Sequence, residues 1–228
     1  MRRLNSSSGV TATATATYRT SVYAVNASYQ PISSTYDYLE NPTSFQDYIY
    51  SGVEQENANN LETANAILGE EQFISPTYSL QDSNIMNKLL TISKDLDDRW
   101  KGALFSLNPS NPDATRHFCT SAREIFTEIF DSKAKDADVF ALLPDCEKTP
   151  IGKNATRKEK IRYFLWKKGI YDDQVEDFVE KDIQNILELF SLLSAGTHGE
   201  AGKYTVEKLA AIKKRVEDGL IFLCDIVA

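Results

Sequence analysis

The sequence predicts a mostly α chain of the α+β class. A helical bundle is expected over residues 83–228, preceded by a small β or irregular region over residues 1–82. Three observations carry that expectation. After residue 83, apolar residues recur at three- and four-residue spacing through long stretches. Helix caps and stops sit at the ends of those stretches. Before residue 83, Thr and Ala alternate and turn residues cluster, and the first 90 residues hold eight of the eleven tyrosines.

The chain has 228 residues, enough to bury a sizeable core. Its charge is uneven: residues 1–90 carry four basic and nine acidic groups, whereas residues 91–228 carry 21 and 24. That shift places a domain boundary between residues 76 and 90.

The elements follow in order. The Thr/Ala alternation from Thr11 to Thr17, within Val10–Val25, suggests an edge strand or an arm that orders on a partner. Residues 26–60 are rich in turn formers such as Asn26, Pro31 and Asn41-Pro42. Tyr36, Tyr38, Phe45, Tyr48 and Tyr50 among them either bind a protein partner or pack this region's own small core. Leu61–Leu68 suggests a short helix. A first long helix is expected from Ser83 to Leu107 on the stripe Ile85, Leu89, Ile92, Leu96, Trp100 and Leu104. Asn111 then caps a helix that has Pro112 at its first position and runs to Phe130. A short helix covers 136–143. Thr156 and Glu159 form a capping box for a helix over 157–168, which Gly169 stops. Two long amphipathic helices, 172–195 and 205–227, close the chain as an antiparallel pair.

Composition narrows the function. The formal net charge is −8 and the sequence pI about 4.9, so a global basic footprint for nucleic acid is absent. No apolar run approaches the ~20 residues a membrane span needs, and the polar stretch after Arg2-Arg3 is unlike a signal peptide. The widely separated Cys119, Cys146 and Cys224 argue against a thiolate zinc site and against a disulfide framework. A cytoplasmic protein is expected, with no cofactor and no metal. P-loop, GxGxxG and HExxH motifs are missing.

Three sets of residues remain as candidates. His198 lies in Gly196-Thr197-His198-Gly199, between the last two helices. A histidine titrates near neutrality and suits acid/base work, and flanking glycines allow close approach by a ligand. The plainer reading is a histidine that fixes the loop. Arg116 and Arg123, seven residues apart on one helix face, suit a phosphate; they equally suit surface ion pairs. The run Lys153, Arg157, Lys158, Lys160, Arg162, Lys167 and Lys168 interleaves with Tyr163, Phe164 and Trp166. Of these, Arg157, Lys158, Arg162 and Lys167 are the candidate nucleic-acid contacts, since cations beside aromatics suit a single strand. The competing reading docks this helix on an acidic surface, the helix at 172–195 included.

Some of these residues carry a family resemblance. The stretch from Asn111 to Phe130 (NPDATRHFCTSAREIFTEIF), Lys158 to Tyr163 (KEKIRY) and Ser194 to Gly199 (SAGTHG) resemble the bacterial domain predicted to be a nuclease associated with prokaryotic PIWI proteins. The layout is also similar to the C-terminal, HEPN-like domains of abortive-infection proteins. The resemblance covers roughly residues 97–227. It implies a HEPN-like helical bundle used in antiphage defence, acting as a homodimer or beside a larger defence effector. It implies metal-independent RNA cleavage, with His198 as acid/base and Arg123 and Arg116 on the phosphate. HEPN ribonucleases carry an arginine separated from the histidine by four to six intervening residues, and here the matching positions, Ser191 to Leu193, hold none. The alternative is a non-catalytic adaptor or dimerisation subunit that recruits or regulates the effector.

Overall fold

The computed structural model describes residues 4–36, 43–69, 80, 83–108, 111–150, 152–196 and 204–228. Its elements are helices: α1 (Leu4–Tyr36), α2 (Ser44–Leu68), α3 (Met86–Ile92), α4 (Lys94–Ser106), α5 (Ala114–Lys133), α6 (Asp136–Leu142), α7 (Arg157–Lys167), α8 (Asp173–Gly196) and α9 (Val206–Val227). The β pairing among the described residues is one isolated bridge, Lys148 to Ala155.

The expected β or irregular N-terminal region is corrected by α1 and α2. In α1, alternation of Ala and Thr looked like a strand. Ala, however, is the best helix former, and threonine's hydroxyl can bond inside a helix. Thr15, Thr17 and Thr20 each donate to the carbonyl four residues back, at 2.8, 3.0 and 2.9 Å. Tyr18, Val22, Val25 and Ile32 are buried at helical spacing, and α1 lies along α8. That packing decides between two locally balanced conformations. α2 opens with a capping box: Gln46 N–H donates to Thr43 Oγ1 at 3.2 Å, and Thr43 N–H donates to Gln46 Oε1 at 2.9 Å. Its buried stripe is Ile49, Val53, Glu56, Asn60, Thr63 and Ile67. Half of those positions are polar, so the pattern did not read as amphipathic. The short helix expected over 61–68 is the end of α2.

The tyrosines divide. Tyr18 and Tyr50 are buried, while Tyr23 and Tyr48 are exposed.

The second half follows the expected helices, with two adjustments. The helix expected over 83–107 breaks at Ser93, whose backbone is extended (φ −164°, ψ 140°); its Oγ accepts from Asp95 N–H at 3.1 Å and starts α4. The next helix begins at Ala114, because Asn111 is spent on the turn: its Oδ1 accepts from Asp113 N–H and its Nδ2 donates to the Ser106 carbonyl. The Thr156 cap of α7 is present, and Gly169 ends that helix at φ 77°. Cys119, Cys146 and Cys224 are buried free thiols.

α8 is the hub, touching α1, α2, α5, α7 and α9. A single hydrophobic cluster draws residues from α1 and α2 as well as from α3 to α9. Helices on both sides of residue 83 therefore share one core.

Candidate functional site

α5 and α8 build one end of the bundle. Arg116, Cys119 and Arg123 share a face of α5 by their three- and four-residue spacing. The Arg123 guanidinium lies 5.9 Å from the centroid of the Phe190 ring in α8. Further along α5, Asp131 accepts from Lys160 of α7 at 2.9 Å, and the preceding turn of α7 carries Arg157, which grips Glu180 and Gln184 earlier in α8. α5 and α8 thus run in opposite directions. Going back along α5 from Arg123 to Arg116 leads toward the end where α8 stops at Gly196.

The chain resumes at Tyr204, which packs on the core. Burial raises the Tyr204 phenol pKa, and Cys119 of α5 is near enough to add to the rise. Both ends of the α8–α9 connection therefore approach the Arg116–Arg123 face of α5. His198 itself falls in residues 197–203, outside the described residues. Arg116 is 60 % exposed and pairs with Asp113; His117 Nε2 lies 3.6 Å from the same carboxylate. Ser191 is exposed and Leu192 and Leu193 are buried, so two of the three positions without the HEPN arginine serve the core. Cys119 sits between the two arginines, and burial pushes its thiol up to about 12 against the pull of Arg123.

The candidate nucleic-acid residues of α7 lie elsewhere. Arg157 donates Nε and one terminal nitrogen to the two Glu180 oxygens at 2.9 and 2.7 Å, and also to Gln184 Oε1 at 2.8 Å. This is the acidic helix dock that the sequence left open. Arg162 stacks over Trp166 at 4.4 Å and sits 3.7–3.8 Å from Glu159 and Glu176. Lys167 lies 5.2 Å from the Tyr163 ring. Lys158 is exposed and has no partner among the described residues. Trp166 Nε1 donates to Glu176 near the start of α8. Twenty residues of helix separate Glu176 from Gly196, about 30 Å. Phe190, on which Arg123 stacks, lies six residues (about 9 Å) past the Arg157 partner Gln184 and fourteen (about 21 Å) past Glu176, so Arg162 and Lys167 stand well down α8 from Arg123 and Arg157 is the nearest of the three to it.

A buried polar junction was missed at the sequence level. Arg215 of α9 is fully enclosed and donates to Asn60 Oδ1 (2.9 Å), Glu56 Oε2 (2.7 Å) and Asp182 Oδ1 (2.5 Å). Tyr18 of α1 is close enough to interact electrostatically with Arg215 and Asp182, and its hydroxyl has no hydrogen-bond partner among the described residues. Two buried carboxylates share one guanidinium. Burial accordingly pushes Glu56 up to about 8, against the attraction of Arg215 and with help from Asp182. The signal was present: Arg215 lies beside Ile212 and Val216 on an apolar face, and Asp182 among Val179, Ile183 and Ile186. With side chains only 1–3 % exposed, this junction fastens α1, α2, α8 and α9 together and offers a substrate no access.

Among the described residues, no group of three or more His, Cys, Asp or Glu could hold a metal, and no helix is long and apolar enough to cross a membrane. A family model described as "Predicted pPIWI-associating nuclease" matches residues 89–223. No curated protein and no solved structure matches the chain.

Proposed function

This chain belongs to the family of predicted pPIWI-associating nucleases, and we propose that it is a ribonuclease of an antiphage-defence system, working beside a PIWI-like protein. The observation that carries this reading is the Arg123 guanidinium over Phe190. It puts a cation of α5 on the last turns of α8, ahead of the connection that contains His198. In this reading Arg123 replaces in space the arginine that Ser191 to Leu193 lack. Arg116, further toward that end of α5, is the second phosphate contact.

The chemistry needs no metal. His198 takes the proton of an RNA 2′-hydroxyl, whose oxygen attacks the neighbouring phosphorus. The new O2′–P bond forms as the P–O5′ bond breaks, and the departing 5′ oxygen takes a proton from water or from the His198 imidazolium that received the 2′ proton. The two arginines hold the non-bridging oxygens as charge builds on them. Lys158, Arg162 and Lys167, with Arg157 behind them, form a separate contact for the same strand at the far end of the bundle. A homodimer in the cytoplasm, as in HEPN-like bundles, completes the proposal.

A second reading is favoured by one observation. Leu192 and Leu193 are buried, so the usual arginine position has been given over to packing. That suits an adaptor that docks the larger effector without cutting RNA. Cells expressing wild type, Arg123→Ala or His198→Ala, challenged with phage and followed by RNA gels, separate the two. A nuclease loses protection and RNA fragmentation with either substitution. An adaptor keeps its protection.

A further inference from the structure

A groove of about 540 Å³ opens between α4 and α5, lined by Gly102, Phe105, His117 and Ser121 together with the turn that joins the helices. Phe105 is 79 % exposed on its rim. Gly102 lies in the middle of α4 with no left-handed backbone, and a Cβ there would meet nothing within 4 Å. Neither turn geometry nor packing asks for glycine at this position, and glycine weakens a helix interior. Its effect is to leave the groove floor open beside an unstacked aromatic ring. The Ser121 hydroxyl has no partner among the described residues. The His117 imidazole is half-exposed, with the Asp113 carboxylate 3.6 Å away.

The groove lies at the candidate catalytic end. Arg123 is level with Phe190, and the helices are antiparallel. His117 is six residues before Arg123, and Gly196 is six after Phe190, about 9 Å along each axis. His117 therefore stands near the level at which the chain leaves α8. Arg116, its neighbour in sequence, is a phosphate contact in the ribonuclease reading.

We propose that this groove holds an unpaired nucleobase of single-stranded RNA, stacked on Phe105, with His117 and Ser121 facing its polar edge. The proposal rests on the ribonuclease reading and names the part of the substrate that flanks the cleaved phosphate. An aromatic platform beside a cation is how single strands are held without a base-pairing partner. A protein-docking face would present a broader apolar centre; here Phe105 is the large exposed apolar side chain, and the other described lining is Ser106, Asn108, Asn111, His117 and Ser121.

The test is binding of a short fluorescein-labelled oligoadenylate to the full chain, by anisotropy across a salt series. Gly102→Leu fills the groove and Phe105→Ala removes the platform. Both sites are open to solvent, so both proteins should melt no lower than wild type. Each should bind about tenfold more weakly, with the salt dependence unchanged because no phosphate contact is lost. Arg116→Ala should instead make the salt dependence shallower. Wild-type affinity in both groove variants would overturn the base site and leave the ribonuclease reading standing. Normal oligoadenylate binding with loss of the PIWI-like partner would make the groove a protein contact and also overturn it. If the wild type neither binds nor cuts RNA, with or without that partner, both readings fall.

Discussion

The Arg215 junction gives the most quantitative prediction. Arg215→Met keeps much of the side-chain length and removes the cation. Glu56 and Asp182, 3 % and 1 % exposed, are left facing each other with no water to replace the guanidinium. Breaking a buried charge pair by removing one partner costs about 3–5 kcal/mol. For a chain of this length, each kcal/mol moves Tm by about 2–4 °C. Arg215→Met should therefore melt roughly 6–20 °C lower by circular dichroism at neutral pH. The junction ties α1 and α2 to α8 and α9, so the loss should appear as one cooperative transition rather than as early release of the N-terminal helices. Adding Asp182→Asn removes the stranded charge, since Glu56 is largely protonated at this pH, and should return about half of the loss or more. A single Arg215→Met protein within ~1 kcal/mol of wild type would refute the reasoning, because it would mean that water already reaches these carboxylates.

Glu56 is raised by burial above the ordinary carboxylate value of 4.5, to about 8. Its contribution is full below pH 4.5 and is lost as pH rises through 8, at up to ~1.4 kcal/mol per pH unit. Glu56→Gln should therefore flatten the fall of stability over that window, as read by urea denaturation at several pH values; an unchanged pH slope would contradict the assignment. Lys158→Ala should leave Tm unchanged and, if Lys158 meets a phosphate, reduce the salt slope of RNA binding by ~0.7. Burial pushes both Cys119 and Cys224 up to about 12, so native protein should resist iodoacetamide at mild alkaline pH and react only on unfolding; rapid native labelling, followed by mass spectrometry, would contradict this.

The N-terminal helices also bear on how the adaptor reading is tested. Deleting residues 1–80 would strip α1 from α8 and α2 from α9, uncovering the shared core. A null phenotype from that deletion would report unfolding as readily as lost recruitment. Point substitutions at exposed positions such as Tyr23 avoid this.

Legibility in the sequence tracked contrast. α8 and α9 were readable because Val175, Phe178, Ile183, Ile186 and Phe190, and Leu209, Ile212, Val216 and Leu220, stand out against polar neighbours. α7 was readable from Thr156 and Glu159 alone. α1 was not, since Thr and Ala differ little in hydrophobicity and the deciding force is burial against α8. α2 was not, because Glu56, Asn60 and Thr63 occupy core positions and look like surface until Arg215 is placed among them. At the candidate site, the shared face of Arg116 and Arg123 followed from their spacing. The stacking of Arg123 on Phe190 did not, because it depends on how two helices far apart in sequence pack. Arg157 illustrates the converse: its charge marked it as a candidate RNA contact, and its geometry commits it to Glu180 and Gln184.

The central claim is metal-independent RNA cleavage at the α5–α8 end, and its most direct measurement uses purified chain and labelled single-stranded RNA in chelator, with and without the PIWI-like partner. Wild type should yield fragments with 2′,3′-cyclic phosphate and 5′-hydroxyl ends. Arg123→Ala and His198→Ala, melting like wild type, should yield none. Intact RNA in every wild-type reaction, or cleavage that survives both substitutions, would contradict the account.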